Sequence, residues 1–161
     1  MRRSRTLAPA LSWVLLSAVG ATEGDAVLGV WATEADRNGM AHIEIRRDGD
    51  RYHGSIVWLE EPNVPLDDPA GRGGEPKTDH RNPDPALRSR PILGLRIVDG
   101  FRYVGNGQFR DGRIYDPATG NTYHCNMKLL ADGRLKLRGY IGISLFGRST
   151  IWTRPADPLE P

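Results

Sequence analysis

Asp79, Asn82 and Asp84 place two carboxylates and an amide close together, and Arg88 and Arg90 follow shortly after. Oxygen donors grouped in this way can hold a hard cation such as Ca²⁺. The same side chains can instead bond nearby backbone N–H groups as Asx turns, with Pro83 and Pro85 stiffening the chain between them. The spacing departs from an EF-hand loop and has no glycine at the required turn. The Asx-turn network is therefore the preferred reading, and no metal is assigned. Arg88 and Arg90 either pair with these acids or face an anionic ligand. A second cluster surrounds the apolar stretch Ile141-Gly142-Ile143-Ser144-Leu145-Phe146-Gly147, where a polar turn is expected. Tyr140 and Arg148 flank it as polar contacts, and Phe146 either plugs the fold or forms a greasy rim.

Other chemistries find little support. His42, His53, His80 and His124 are scattered. His42 and His53 are candidates to neighbour each other across the second hairpin, but two histidines without a fixed third ligand are weak evidence for zinc, and solvated side chains are the preferred reading. Cys125 alternates with Tyr123, Met127 and Leu129 on what reads as a core face, where a thiol is inert. His124 falls on the opposite side of that strand. The chain carries no Gly-x-Ser-x-Gly and no phosphate-binding glycine loop. No catalytic residue and no cofactor is assigned, and an enzyme is the least favoured function.

These candidates sit behind a leader. Arg2, Arg3 and Arg5 precede the apolar stretch Leu7 to Val19, and small residues follow at Ala18, Gly20 and Ala21. That is the pattern of a secretory signal peptide over residues 1–21, too short to read as a membrane span. The domain then covers 22–161, and the expected location is periplasmic or secreted. The full chain has 22 Lys+Arg against 20 Asp+Glu. Taking away the three leader arginines leaves 19 against 20, so no basic excess supports nucleic-acid binding. With Cys125 as the only cysteine, no internal disulfide is expected and the fold must hold by burial and hydrogen bonding.

The elements that position these residues are strands. Nineteen glycines and twelve prolines interrupt the chain too often for long helices. Alternation with a period of two recurs instead, in Val27–Thr33, Ala41–Ile45, Tyr52–Leu59, Leu93–Ile97, Phe101–Val104, Gly107–Tyr115, Tyr123–Leu129, Leu135–Ile141 and Arg148–Arg154. Within the third run, Tyr52, Gly54, Ile56 and Trp58 are expected on one face. Asp48-Gly49, Asp99-Gly100, Asp111-Gly112 and Asp132-Gly133 read as turns. This predicts a single small all-β domain, an antiparallel up-and-down barrel of about eight strands, with a sandwich as the alternative. One long Pro/Gly-rich loop at 61–91 breaks the rhythm, its first half reading as flexible. Gly29-x-Trp31 on the first strand and Trp152-Thr153-Arg154 on the last suit the sealing of one barrel end, with Arg154 over Trp31 and its donors on N-terminal carbonyls.

Several motifs together resemble DUF2147, a family of uncharacterised secreted bacterial proteins. They are Gly29-x-Trp31, Gly54-x-Ile56-x-Trp58, Asp79-x-x-Asn82-Pro83 and Arg90-Pro91-x-x-Gly94-Leu95, then Asp116-Pro117-x-x-Gly120-x-x-Tyr123. Leu135-x-x-Arg138-Gly139-Tyr140-Ile141-Gly142, Gly147-Arg148 and Trp152-Thr153-Arg154 complete the set. The resemblance implies a lipocalin-like barrel outside the cytoplasm and carries no reaction with it. The expected function is binding of a small or lipid-like ligand at the barrel mouth. The alternative is a filled barrel acting as a structural or interaction module on an envelope protein partner. Neither nucleic acid nor a transmembrane span after signal cleavage is expected.

Overall fold

The computed structural model describes residues 22–36, 39–140 and 147–156. Eight strands run antiparallel in chain order: β1 (Gly29–Ala32), β2 (Ala41–Asp48), β3 (Arg51–Leu59), β4 (Arg96–Tyr103), β5 (Gln108–Asp116), β6 (Asn121–Leu129), β7 (Leu135–Tyr140) and β8 (Gly147–Trp152). Each pairs with its neighbour in sequence, so the sheet is an up-and-down meander. It curls until its two ends touch. Ala32 N donates to Thr153 O at 2.8 Å and Thr153 N returns the bond to Ala32 O at 3.1 Å. Among the described residues, this one bridge is the hydrogen-bonded seam of the barrel.

Meander topology sorts the connections between two ends. The turns at 49–50, 104–107 and 130–134 lie at one end with the start of β1. The long loop, the 117–120 turn, the end of β7 and the start of β8 lie at the other, which is the mouth. A 3-10 turn over Glu23–Val27 leads into β1 at the first end. Here the interior is solid. Val27, Trp31, Phe101, Phe109, Leu135 and Trp152 are buried there, and Ile43, Ile45, Tyr52, Val98, Cys125, Met127 and Leu137 continue the same core. Tyr52 meets Phe109 edge-on with centroids 5.1 Å apart, a favourable aromatic geometry. Burial pushes the Cys125 thiol up to about 12, so it rests in the core as a neutral apolar group.

Arg154 locks this end. Its guanidinium lies 3.8 Å from the centroid of the Trp31 ring. Nη1 donates to Val30 O at 3.1 Å and Nη2 to Ala26 O at 3.0 Å. Trp31 Nε1 donates to Val27 O at 2.8 Å, so both partners tie down the same N-terminal segment. Gly29 has φ of 99°, and a Cβ there would sit 3.1 Å from Arg154 Nη1. A side chain would thus be strained twice, by backbone conformation and by crowding of the cation.

Three expectations need correction. Asp99-Gly100 and Asp111-Gly112 are not turns; they lie inside β4 and β5. Gly100 has φ of 73° and Asp111 φ of 64°, and the β5–β6 register shifts between Phe109 and Gly112. These are bulges, which use the same positive-φ residues as turns but keep the strand running. The chain reverses instead at 104–107, so the Leu93–Ile97 and Phe101–Val104 runs merge into one strand. Another irregularity lies where Ile43 pairs with Ile56 but His42 pairs with Trp58. It changes the phase of β3: Leu59, not Trp58, packs against the core. Trp58 lies tilted against His42 instead, centroids 4.4 Å apart. The first half of the long loop is also more ordered than its composition predicts. Val64 N donates to Glu75 O at 2.8 Å and Gly74 N to Val64 O at 2.9 Å, giving a small hairpin-like fold.

Arg154→Ala removes the cation over Trp31 and two charged hydrogen bonds. It is expected to cost about 2 kcal/mol, read by chemical denaturation, with Arg154→Lys recovering only part because an ammonium cannot span both carbonyls. An unchanged midpoint in Arg154→Ala would refute the sealing role.

Candidate functional site

The long loop is anchored by Asp79, whose side chain is fully buried. Asp79 Oδ2 accepts from Asn82 Nδ2 at 2.8 Å, from Arg90 Nε at 3.0 Å and from Arg90 Nη2 at 2.8 Å. Tyr115 Oη donates to Asp79 Oδ1. A carboxylate offers about four acceptor sites, and four donors use them here. Asn82 is as heavily engaged. Its Nδ2 also reaches Tyr115 Oη at 3.2 Å, and its Oδ1 accepts from Asp84 N at 2.9 Å. Asp84 Oδ1 in turn accepts from Ala86 N at 3.0 Å and caps the short 3-10 turn Pro85–Leu87. Arg88 Nε donates to Asn82 O at 2.7 Å.

All five loop candidates thus meet in one knot, and its bonds are mostly internal. Among the described residues, no group of three or more His, Cys, Asp or Glu side chains is placed to hold a metal ion. The knot fastens the loop to β5 through Tyr115 and to the next turn through Gly120. That glycine has φ of 75°, and a Cβ on it would fall 2.0 Å from Arg81 O. Loop and turn are therefore in backbone contact, an approach that only glycine permits.

Tyr140 and Arg148 part company. Tyr140 pairs with Gly147, and Arg148 pairs with Gly139. Neighbouring strand positions point to opposite faces, so the two side chains do not converge. Tyr140 stacks on His124, centroids 5.8 Å apart, on the outer face. Arg148 shares the face of Leu137, Cys125 and Trp152, which is the interior. Phe146 and the rest of 141–146 lie outside the described residues.

This phase reveals lining residues that motif reading passed over. Going back along β8 from Trp152, the interior positions are Thr150 and then Arg148. Thr150 Oγ1 donates to Glu34 Oε2 at 2.9 Å, bringing a carboxylate from the β1–β2 connection to the same side. Tyr123, opposite Ile114 on β5, occupies the interior phase of β6 at the mouth. Arg148 is already a candidate from the sequence; counting in twos from Trp152 adds Thr150, and nothing local marks Glu34.

Two histidines are also placed differently from expectation. His42 and His53 do not neighbour each other, since His53 pairs with Arg46 and bonds Asp99 at 2.9 Å. His42 is buried rather than solvated, and its Nδ1 has no hydrogen-bond partner among the described residues. Burial lowers its pKa, favouring the neutral ring.

Burial first, then the Asp79 carboxylate, pushes the Tyr115 phenol up to about 12. A phenol raised in the folded state is stabilising below its unfolded pKa, roughly 10, and loses that contribution as pH rises through the folded value. Tyr115→Phe leaves Asp79 Oδ1 short of a donor and is expected to cost about 1–3 kcal/mol at neutral pH. It should also flatten the alkaline loss of stability between roughly pH 10 and 12. Thermal melts across pH check both, and equal slopes in variant and parent would refute the assignment.

With the geometry in place, the comparisons are informative. No curated protein matches the chain. A solved structure, protein HP1028 from Helicobacter pylori, described as belonging to the lipocalin family, superposes with a TM-score of 0.68 at 20% identity. The match covers 81% of this chain and 84% of that one, and at this identity it speaks for the fold. The sequence profile of DUF2147, described as uncharacterized protein conserved in bacteria, matches residues 29–154. That interval runs from the glycine of the sealed end to the arginine that closes it, and the chain belongs to the DUF2147 family.

Proposed function

We propose that this lipocalin-like protein binds a small amphiphilic ligand seated shallowly at the barrel mouth, with Arg148 meeting an anionic group. The observation that carries the reading is the change of character along the interior face of β8. Trp152 is buried in the packed end, Thr150 follows, and Arg148 comes last at the mouth. The residues below, Leu137, Met127 and Cys125, are already packed together, so a long buried tail has no deep cup to enter. A ligand suited to this interior is short, with its apolar part near Ile114 and Tyr123 and its charge outward at Arg148. A charged hydrogen bond of this kind contributes about 1.5–3 kcal/mol, roughly ten- to a hundredfold in affinity. Titration with octanoate, followed by tryptophan fluorescence, is the test. Saturable binding that weakens at least tenfold in Arg148→Gln, with the melting temperature kept, supports the reading. Absence of saturable binding by the parent, or equal binding by the variant, sinks it.

We also infer export. The positive, apolar and small-residue succession in residues 1–21 supports removal of that segment on the way out of the cytoplasm. Expression of the full chain in a bacterial host should give a periplasmic or medium fraction whose first residue is Ala21 or Thr22. A cytoplasmic product retaining Met1 would refute it.

The packed interior equally supports the second reading, a filled barrel that works through its outer surface.

A further inference from the structure

The chain without its leader is nearly balanced in charge, yet the outer wall of β4–β7 is not. Interior positions on β5–β7 are Phe109, Met127, Cys125, Leu135 and Leu137. The positions between them face out and are repeatedly basic. Arg102 pairs with Arg110. Lys128 pairs with Lys136, and Arg138 pairs with Asn126 one step further along. Arg113 lies on the same face, opposite His124. Acids on this wall are few: Asp111 is taken by Arg102 at 2.6 Å, and Asp99 by His53 at 2.9 Å. Among the described residues, Lys128, Lys136, Arg110 and Arg113 have no acidic partner within ion-pair distance. The balancing acids sit elsewhere, including Glu60 just after β3 and Glu61, Asp67, Asp68 and Glu75 of the long loop.

Like charges directly opposite on adjacent strands destabilise a sheet. The Lys128–Lys136 pair is such a cost, and no neighbouring carboxylate offsets it. A shallow cleft of about 230 Å³ opens between these cations. We propose that this wall docks on an anionic membrane surface, its lysines and arginines meeting phosphate-bearing lipid headgroups. The proposal is independent of the mouth site. Charge complementarity sets the partner's sign, and the shape of the face sets its class. A barrel wall is broad and convex, suited to a plane of headgroups and not to cradling a strand. Its outward aromatics are both engaged, Tyr140 stacked on His124 and Tyr115 bonded to Asp79 and Asn82, so neither ring stands free for bases.

The test is co-sedimentation of the leader-free protein with vesicles. Vesicles of equal parts phosphatidylglycerol and phosphatidylcholine should bind it, and pure phosphatidylcholine should not. Binding should fade when high salt shortens the screening length. Each cation near an anionic surface strengthens partitioning about fivefold, so Lys128→Ala with Lys136→Ala should weaken it about twenty-five-fold. The melting temperature of that double variant should hold or rise, because a repulsive pair is gone, and this separates lost docking from lost folding. Arg46→Ala, which removes an exposed β2 cation paired with Glu44, should bind as the parent does. No binding to the anionic vesicles overturns the proposal. So does equal weakening by Arg46→Ala, or undiminished binding by the double variant. Displacement from vesicles by a short DNA duplex at lower concentration than by free phosphatidylglycerol headgroup would reassign the wall to nucleic acid and overturn it as well.

Discussion

A sheet that curls into a barrel must deal with its first and last strands, and here that constraint is met with little backbone. β1 has four residues, and among the described residues one bridge, Ala32 to Thr153, carries the seam. Side chains supply the rest. Arg154 reaches across from the end of β8, lies on Trp31 and bonds two carbonyls of the entering chain. A planar guanidinium suits this task because it stacks with one surface and donates from its rim. The packing of Trp152, Leu135 and Val27 beneath it depends on that closure, since without it the apolar interior has an open edge.

Closure by packing has a cost in volume. The side chains that seal one end also fill the barrel past its waist, to Met127 and Leu137. Lipocalin-like topology therefore does not bring a deep cup with it here. In the proposed reading, recognition falls to the mouth and the outer wall. The long loop is tied into the scaffold: Asp79 spends its acceptor capacity on Asn82, Arg90 and Tyr115, fastening the 61–91 loop to β5.

Much of this was legible in the sequence because it rests on period-two alternation and on residue types with one strong use. The strands, the Gly29–Trp31 and Arg154 pairing and the dense bonding around Asp79 all belong to that class. The errors arose where one local signal serves two structures. Asp-Gly at 99–100 and 111–112 supplies the positive φ of a hairpin turn or of a bulge, and only the partner strand decides between them. Once a bulge intervenes, alternation changes phase, so Leu59 takes the place on the Tyr52–Ile56 face that strict alternation gives to Trp58. Tyr140 and Arg148 looked like a pair because they flank one segment, although cross-strand register sends them to opposite faces. The basic wall was hidden for a different reason: a balanced total charge says nothing about where charge collects.

The Arg154 clamp also fixes where the chain passes in and out of the barrel. Ala26 on the way in and Arg154 on the way out share one guanidinium, so both passages occur at the same end and side by side. Anything joined to either flank of the domain, whether a tag, a tether or a neighbouring module, is held at the closed pole. The mouth faces away from such an attachment, and the protein can be immobilised by either flank with its opening turned to solution.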